Sequence, residues 1–137
     1  MNQRGAAASE AVIIIPVLIL LLALVGAGWR IYWASAQVKQ AAGAAARAAS
    51  LARTCDSAQH IARQVALDNL TATADYCTDA DIAVDTSGYG SPHDPQAHVS
   101  VQITCQLDLS DLVVSGFPGS VTLHGHSDET LDTLREW

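Results

Sequence analysis

The chain has 137 residues, half of them hydrophobic, and a formal net charge of −7 at pH 7. Residues 1–54 hold five basic residues and one acidic residue (+4), whereas residues 55–137 hold two basic and thirteen acidic residues (−11). The acidic charge of the C-terminal part argues against nucleic-acid binding, which needs a basic surface. The length of this part leaves room for one small exposed domain.

A long apolar run follows the first ten residues. Residues 11–29 carry no charge and, as a helix, reach about 28 Å, close to the thickness of a bilayer's hydrocarbon core. Trp29, Tyr32 and Trp33 stand at its end, and such side chains favour the membrane–water interface. The run therefore predicts a single-pass membrane protein.

A secretory signal peptide cut after residues 34–36 (Ala-Ser-Ala) is a competing interpretation of this run. The run is longer than the ~7–15 apolar residues of such peptides, and Arg30 and Trp33 crowd the cleavage position. An acid such as Glu10 is also out of place in a positively charged leader. We therefore expect the helix to remain in the mature protein.

The N-terminus combines a short polar leader with an acid at the edge of the membrane run. Arg4 and Gly5 end the leader, and Glu10 follows five positions later, where a lone carboxylate is costly. Pro16 lies six positions further on and predicts a kink that a membrane helix tolerates. This pattern resembles the prepilin signature, with Gly5 as the last leader residue and Ala6 as the new N-terminus. More narrowly, it is similar to the TadE-like family, minor pseudopilins of tight-adherence (Tad/Flp) pilus systems.

The resemblance implies that a prepilin peptidase cuts after Gly5 and that Glu10 pairs with the N-terminus of a neighbouring subunit. An unpaired carboxylate inside an apolar bundle is strongly penalised, so this pairing would fix the register between subunits. The implied partners are other pilin or pseudopilin subunits, inner or platform membrane proteins of the pilus machine, and membrane lipid. Ala11 stands where many pilins carry an aromatic residue, which weakens a match to the major pilin more than one to TadE. The prediction is a minor pilin or pseudopilin taking part in Tad/Flp-type pilus assembly, and not an enzyme.

Other interpretations of the same residues stay open. The chain can be an ordinary signal anchor in which Glu10 has no role, because short motifs often match by chance. It can also be a membrane-anchored exported binding or adhesion module with no filament role. A small membrane enzyme is a third option, disfavoured because the sequence has no recognisable active site.

Two observations disagree on the orientation of the chain in the membrane. A prepilin leader is cut on the cytoplasmic side, which predicts an extracytoplasmic C-terminal domain that can enter a surface pilus. The basic residues after the run, Arg30, Lys39, Arg47 and Arg53, outnumber Arg4 before it, and a positive-inside count favours the opposite orientation. We expect the exported orientation, which the cysteines also favour.

Two helices are predicted before any strand. Residues 30–53 contain strong helix formers and no proline, so one continuous helix is expected over residues 6–53. Residues 56–70 predict a second amphipathic helix capped by Asp56 or Ser57. The first helix carries a stripe at helical spacing that permits close packing with other helices, or packing on the chain's own domain, or both: Ile31, Ala34, Val38, Ala41, Ala42, Ala45, Ala49 and Ala52.

From residue 81 onward the apolar period changes from helical to alternating. Strands are predicted over residues 82–86, 98–109 and 120–126, as an antiparallel meander packed on helix. The expected fold is α+β and pilin-like. The expected parts are a leader (1–5), an N-terminal helix (6–54, membrane part about 11–29) and a small acidic domain (55–137).

Three cysteines lie beyond the membrane run, and none forms a CxxC pair. A loop centre near Pro92 places Ala80 opposite Cys105, so that Cys77 reaches Cys105 and can form a disulfide. Cys55 stands outside this pattern and is either free or paired between chains. Actinobacterial TadE-like proteins look similar here, with one cysteine before the first strand and one in the second.

The sequence offers candidates for chemistry but no complete site, because no spacing fixes a third metal ligand and no nucleophile elbow or phosphate-binding loop occurs. We expect no metal and no cofactor. The histidines considered as ligands, and expected instead to be exposed, are His93, His98, His124 and His126. The acids interpreted as solvated turn and tail charges are Asp108, Asp111, Asp128 and Glu129.

Overall fold

The first element is a 48-residue helix, α1, that runs from Gln3 to Ser50. The computed structural model describes residues 3–71, 77, 79–90, 94, 96–110 and 119–131, and only the backbone of residues 3–11. The helix continues through Pro16, which lies inside it. A single continuous helix was predicted, and it is confirmed.

The second helix, α2 (Cys55–Thr71), begins four residues after Leu51. Its N-terminus is capped by Thr54, whose Oγ1 accepts the backbone N–H of Ser57 at 3.2 Å. The prediction that Asp56 or Ser57 is the cap is wrong by two or three positions. Both residues lie within the first turn, and a threonine just before them supplies the acceptor.

The described residues form an antiparallel sheet of three strands in the order β1-β2-β3. β1 (Ala80–Asp85) pairs with β2 (His98–Asp108), which pairs along its full length with β3 (Ser120–Thr130). Ala80 lies opposite Cys105, so the register expected from the loop position is confirmed. β3 extends four residues beyond the predicted strand end at residue 126.

The core lies between the inner face of the sheet and the two helices, and it confirms the predicted α+β fold. Most of its helical side chains are alanines, which let the backbones of the two helices approach closely. The strands supply the larger apolar side chains, and a fully buried side chain of that size contributes about 1.5–3 kcal/mol. The largest fully buried side chains, all but Val38 of α1 from β2 and the residue after it, are Ile103, Leu107, Leu109, Val38, Val99, Val101 and Cys105.

The end of α1 is tied to the sheet by Tyr89. This residue lies in a short 3-10 helix, Ser87–Gly90, that follows β1. Its hydroxyl donates to the carbonyl oxygen of Ala49 at 2.6 Å. The carbonyl oxygen of Ala52 is a longer second acceptor, 3.3 Å from the same hydroxyl. The Ala49 carbonyl also accepts the backbone N–H of Ala52 at 2.9 Å, so the Tyr89 hydroxyl is a second donor to a carbonyl at the end of the helix.

Candidate functional site

The N-terminal half of α1 projects beyond the core and is the strongest candidate for a functional surface. Its large apolar side chains between Val12 and Val25 are 49–71% exposed. We call residues 12–26 the free apolar segment. The helix is long and apolar enough to cross a membrane. A continuous exposed apolar surface of this kind requires lipid or other protein around it.

The predicted processing and assembly residues all lie at the start of this helix. Gly5, Ala6 and Glu10 fall within the described backbone of α1. Glu10 is thus about 1.4 turns beyond Gly5 on a continuous helix. Their roles in cleavage and subunit pairing stay predictions, as does a kink at Pro16.

Three aromatic residues lie where the apolar run ends. Trp29, Tyr32 and Trp33 are 66%, 70% and 48% exposed. Ala27 and Ala34, on the same part of α1, are buried at 3% and 2% exposure. The domain therefore covers one side of the helix at this level, and the aromatic rings lie on the other.

The predicted disulfide is present and joins Cys77 to Cys105, with their Cα atoms 5.6 Å apart. Cys105 is fully buried in the middle of the sheet, so the bond attaches the segment before β1 to the core. Disulfides persist in oxidising compartments, which fits an exported domain.

The remaining cysteine, Cys55, is exposed and free. It lies in a groove between the start of α2 and the end of β1. Its Sγ is 2.9 Å from the Oγ1 of Thr86, and the Nε2 of Gln59 donates to the same hydroxyl at 3.1 Å. These contacts hold the buried hydroxyl of Thr86 in place.

The histidines of the sheet lie on its outer, solvent-facing side. His124 Nδ1 is 3.4 Å from Thr104 Oγ1, and His126 Nε2 is 3.1 Å from Asp128 Oδ2. Among the residues that the structure describes, no three His, Cys, Asp or Glu side chains come together as a metal site would need. His93 and Asp111 lie outside the described residues.

One acid that the sequence suggested to be a solvated tail charge has a structural contact. Glu129 lies in β3 on the side facing α1, and its Oε1 is 3.7 Å from the Nε of Arg47. Because Arg47 is 78% exposed, this pair contributes little to stability. The correction arises because β3 runs past the predicted strand end, so Glu129 belongs to the sheet.

Two exposed aspartates, each at the end of a strand, cap the turn that follows by accepting a backbone N–H. Asp85 Oδ1 accepts the backbone N–H of Ser87 at 2.9 Å, and Asp108 Oδ1 accepts that of Ser110 at 2.8 Å. These hydrogen bonds to the charged form lower the pKa of both carboxyl groups from the ordinary value of 3.8. Arg30 also lowers the pKa of Asp108 through its charge.

Sequence reasoning missed two residues that position the domain on α1, Gly125 and Tyr89. A glycine inside an alternating strand signals a close approach of another backbone, so Gly125 was detectable in principle. Tyr89 gave no such signal, because its partner carbonyl lies 40 residues earlier in the chain.

Comparison with known proteins finds a family match in the N-terminal part of the chain. Residues 5–47 match the family model described as TadE-like protein. The resemblance inferred from the N-terminal motif is confirmed over that range. No curated protein and no solved structure matches the chain.

Proposed function

We propose that this chain is a minor pilin or pseudopilin that is anchored in a membrane by the free apolar segment and takes part in Tad/Flp-type pilus assembly. The observation that carries the proposal is that residues 5–47, which match the TadE-like family, include the whole free apolar segment. The family suggests a Tad pilus-associated protein. In this role the chain is a structural subunit and not an enzyme.

The exposed helix supports both stages of this function. Before assembly, lipid covers an apolar helix of this length at no cost to its backbone hydrogen bonds. In an assembly, neighbouring helices would cover the same side chains. Burial of apolar surface is favourable by about 25 cal/mol per Å², so either environment stabilises a segment that its own domain leaves uncovered.

Processing would prepare the helix for assembly. Cleavage after Gly5 leaves a positively charged amino group on Ala6, close in sequence to Glu10. Within an apolar bundle, Glu10 of one subunit would pair with this amino group of the next. Such a pair sets the axial register of subunits, because both charges are costly to bury alone.

The first experiment tests processing by intact-mass measurement of the protein purified from its host membranes. The wild type should begin at Ala6, and Gly5→Val should retain residues 1–5. Gly26→Val is a matched control, because Gly26 lies in the same helix with open space around it. A wild type that begins at Met1 would contradict processing and favour an exported module with no filament role.

The second experiment tests assembly through Glu10. Glu10→Ala should leave membrane insertion unchanged, as measured by flotation of membranes, and should reduce the recovery of surface pili by shearing. Glu10→Asp keeps the charge and should retain more assembly than Glu10→Ala. Normal piliation of Glu10→Ala would rule out the pairing role.

The third experiment tests the orientation on which the proposal depends. Cys55 is exposed and free, so it reports the side of the membrane on which the domain lies. A membrane-impermeant maleimide should label Cys55 in intact cells and should fail to label Cys55→Ser. Labelling only after lysis would place the domain in the cytoplasm and contradict the exported orientation.

A further inference from the structure

We propose that one end of the domain rests directly on the lipid headgroup layer, on the side of α1 opposite to its aromatic side chains. This inference rests on the membrane anchoring proposed above. We call this end the domain base. Its described residues are Asp108, Leu109, Ser110, Gly119 and Ser120, where β2 ends and β3 begins.

The first argument is the point at which α1 becomes buried. Ala27 is 3% exposed, and Ile31 packs against the core one turn later. The apolar run of the sequence ends at Trp29. The domain therefore covers the helix before the apolar run has ended, and no linker separates them.

The second argument is the alignment of β3 with α1. A Cβ at Gly125 would contact Val38, and one at Gly43 would lie 3.9 Å from Ser127 Oγ. Further along, Glu129 pairs with Arg47. β3 and α1 therefore run in the same direction, with the start of β3 nearest to the membrane segment.

The alignment fixes the level of the domain base. Ser120 precedes Gly125 by five residues, which is about 17 Å of strand, or about eleven residues of helix. Counting back from Val38, Ser120 lies level with Ala27. Asp108 pairs with Ser120 in the sheet and is influenced by the charge of Arg30, which agrees with this level.

The third argument is the position of the aromatic side chains around α1. At about 100° per residue, Trp33 and Tyr32 lie within about 60° of Trp29 around the axis, whereas Ala27 and Ala34 lie about 150° away. Tryptophan and tyrosine favour the headgroup level, where the ring is partly desolvated and the N–H or O–H stays wet. Their rings therefore mark the headgroup layer at the level of the domain base.

The exposed side chains among the described residues of the domain base fit headgroups and not hydrocarbon. Asp108, Ser110 and Ser120 are exposed and polar, and the apolar Leu109 is buried. Polar and charged groups of this kind are costly in the bilayer interior. At the headgroup level the serine hydroxyls can donate to phosphate oxygens, and the Asp108 carboxylate, which only accepts, stays hydrated. The exposed side chains among the described residues of the domain base are thus suited to contact the surface of the membrane.

The test uses the full chain in phosphatidylcholine vesicles, with a bimane probe on a single introduced cysteine in a Cys55→Ser background. Ser120→Cys places the probe at the domain base, and Gln96→Cys places it in the turn before β2, at the other end of a strand that is about 33 Å long. Both positions are exposed. A nitroxide on the lipid headgroup should quench the Ser120→Cys probe strongly and leave the Gln96→Cys probe unchanged.

A second measurement uses the native tryptophans. In a Trp137→Phe background, emission comes from Trp29 and Trp33 alone. A headgroup nitroxide should quench this emission more than a nitroxide deep in the acyl chain does. Stronger quenching by the deep label would overturn the inference.

Equally weak quenching at Ser120→Cys and Gln96→Cys would show that the domain stands clear of the lipid, and equally strong quenching would show that its base is not the end in contact. Either result would overturn the inference while the anchor stands. Flotation of the vesicles keeps the two proposals distinguishable. A chain that fails to float with the vesicles contradicts the membrane anchor itself, and the inference with it.

Discussion

Gly125 in β3 lies against the backbone of Val38 in α1, so closely that a Cβ at position 125 would be 2.6 Å from the Val38 carbonyl oxygen. A carbonyl in the middle of a helix cannot move aside as a flexible side chain can. The glycine therefore sets the distance between the sheet and the helix that carries the free apolar segment.

Replacing Gly125 with alanine should push β3 away from α1 and destabilise the domain by about 1–3 kcal/mol, the usual cost of overpacking. Thermal unfolding of the detergent-solubilised chain measures this change. Gly90→Ala is the matched control, because nothing lies within 4 Å of a Cβ at Gly90. Equal melting temperatures for Gly125→Ala and the wild type would disprove the close approach.

The disulfide should contribute a large part of the stability of so small a domain. Cys77 and Cys105 are 28 residues apart, and a closed loop of this size stabilises by about 3–4 kcal/mol in the chain-entropy model. The double variant Cys77→Ser/Cys105→Ser should therefore unfold at a much lower denaturant concentration. Cys55→Ser should unfold like the wild type, since Cys55 is exposed and unbridged.

Tyr89→Phe should destabilise the end of α1 by about 1 kcal/mol, because the Ala49 carbonyl then loses its side-chain donor. Hydrogen exchange should show faster exchange in the last turn of α1 and little change in β3. Tyr32→Phe removes the same hydroxyl from an exposed ring and should leave exchange in that turn unaltered.

The caps at Asp85 and Asp108 predict a specific acid sensitivity. Since the pKa of each carboxyl group is lower in the folded state than its ordinary value of 3.8, each stabilises the fold above that value. The contribution is lost as the pH falls through the lowered pKa. Asp85→Asn/Asp108→Asn keeps an acceptor oxygen that does not titrate.

Melting temperatures measured from about pH 5 to about pH 2 should therefore fall more steeply for the wild type than for this double variant. Parallel curves would mean that neither carboxylate caps its turn in solution. Asp81→Asn is a suitable control for the loss of one surface charge, because Asp81 is exposed on the sheet.

The fold was predictable where local pattern and tertiary packing coincide. Alternation in β2 and the loop centre near Pro92 together predicted that Ala80 would lie opposite Cys105, and the disulfide followed from that register. The stripe of alanines predicted the buried face of α1 for the same reason: a helix with small residues at one face can approach its neighbours closely.

Features that depend on contacts distant in the chain were not predictable. The hydroxyl of Tyr89 serves a helix end 40 residues away, and Glu129 pairs with an arginine on α1. The cap of α2 was misplaced for a different reason. Several residues around the helix start can accept the capping hydrogen bond, and only the backbone geometry selects Thr54.

The continuity of α1 has a mechanical consequence. From Ile31 to Ala49 the helix packs against the core, while residues 12–26 extend from it without a break in the helix. An axial pull or a twist applied to the N-terminal half would thus be transmitted to the domain, because the helix and the domain move as one rigid unit. Any lift of the helix out of a bilayer would raise the domain by the same distance and turn it through the same angle.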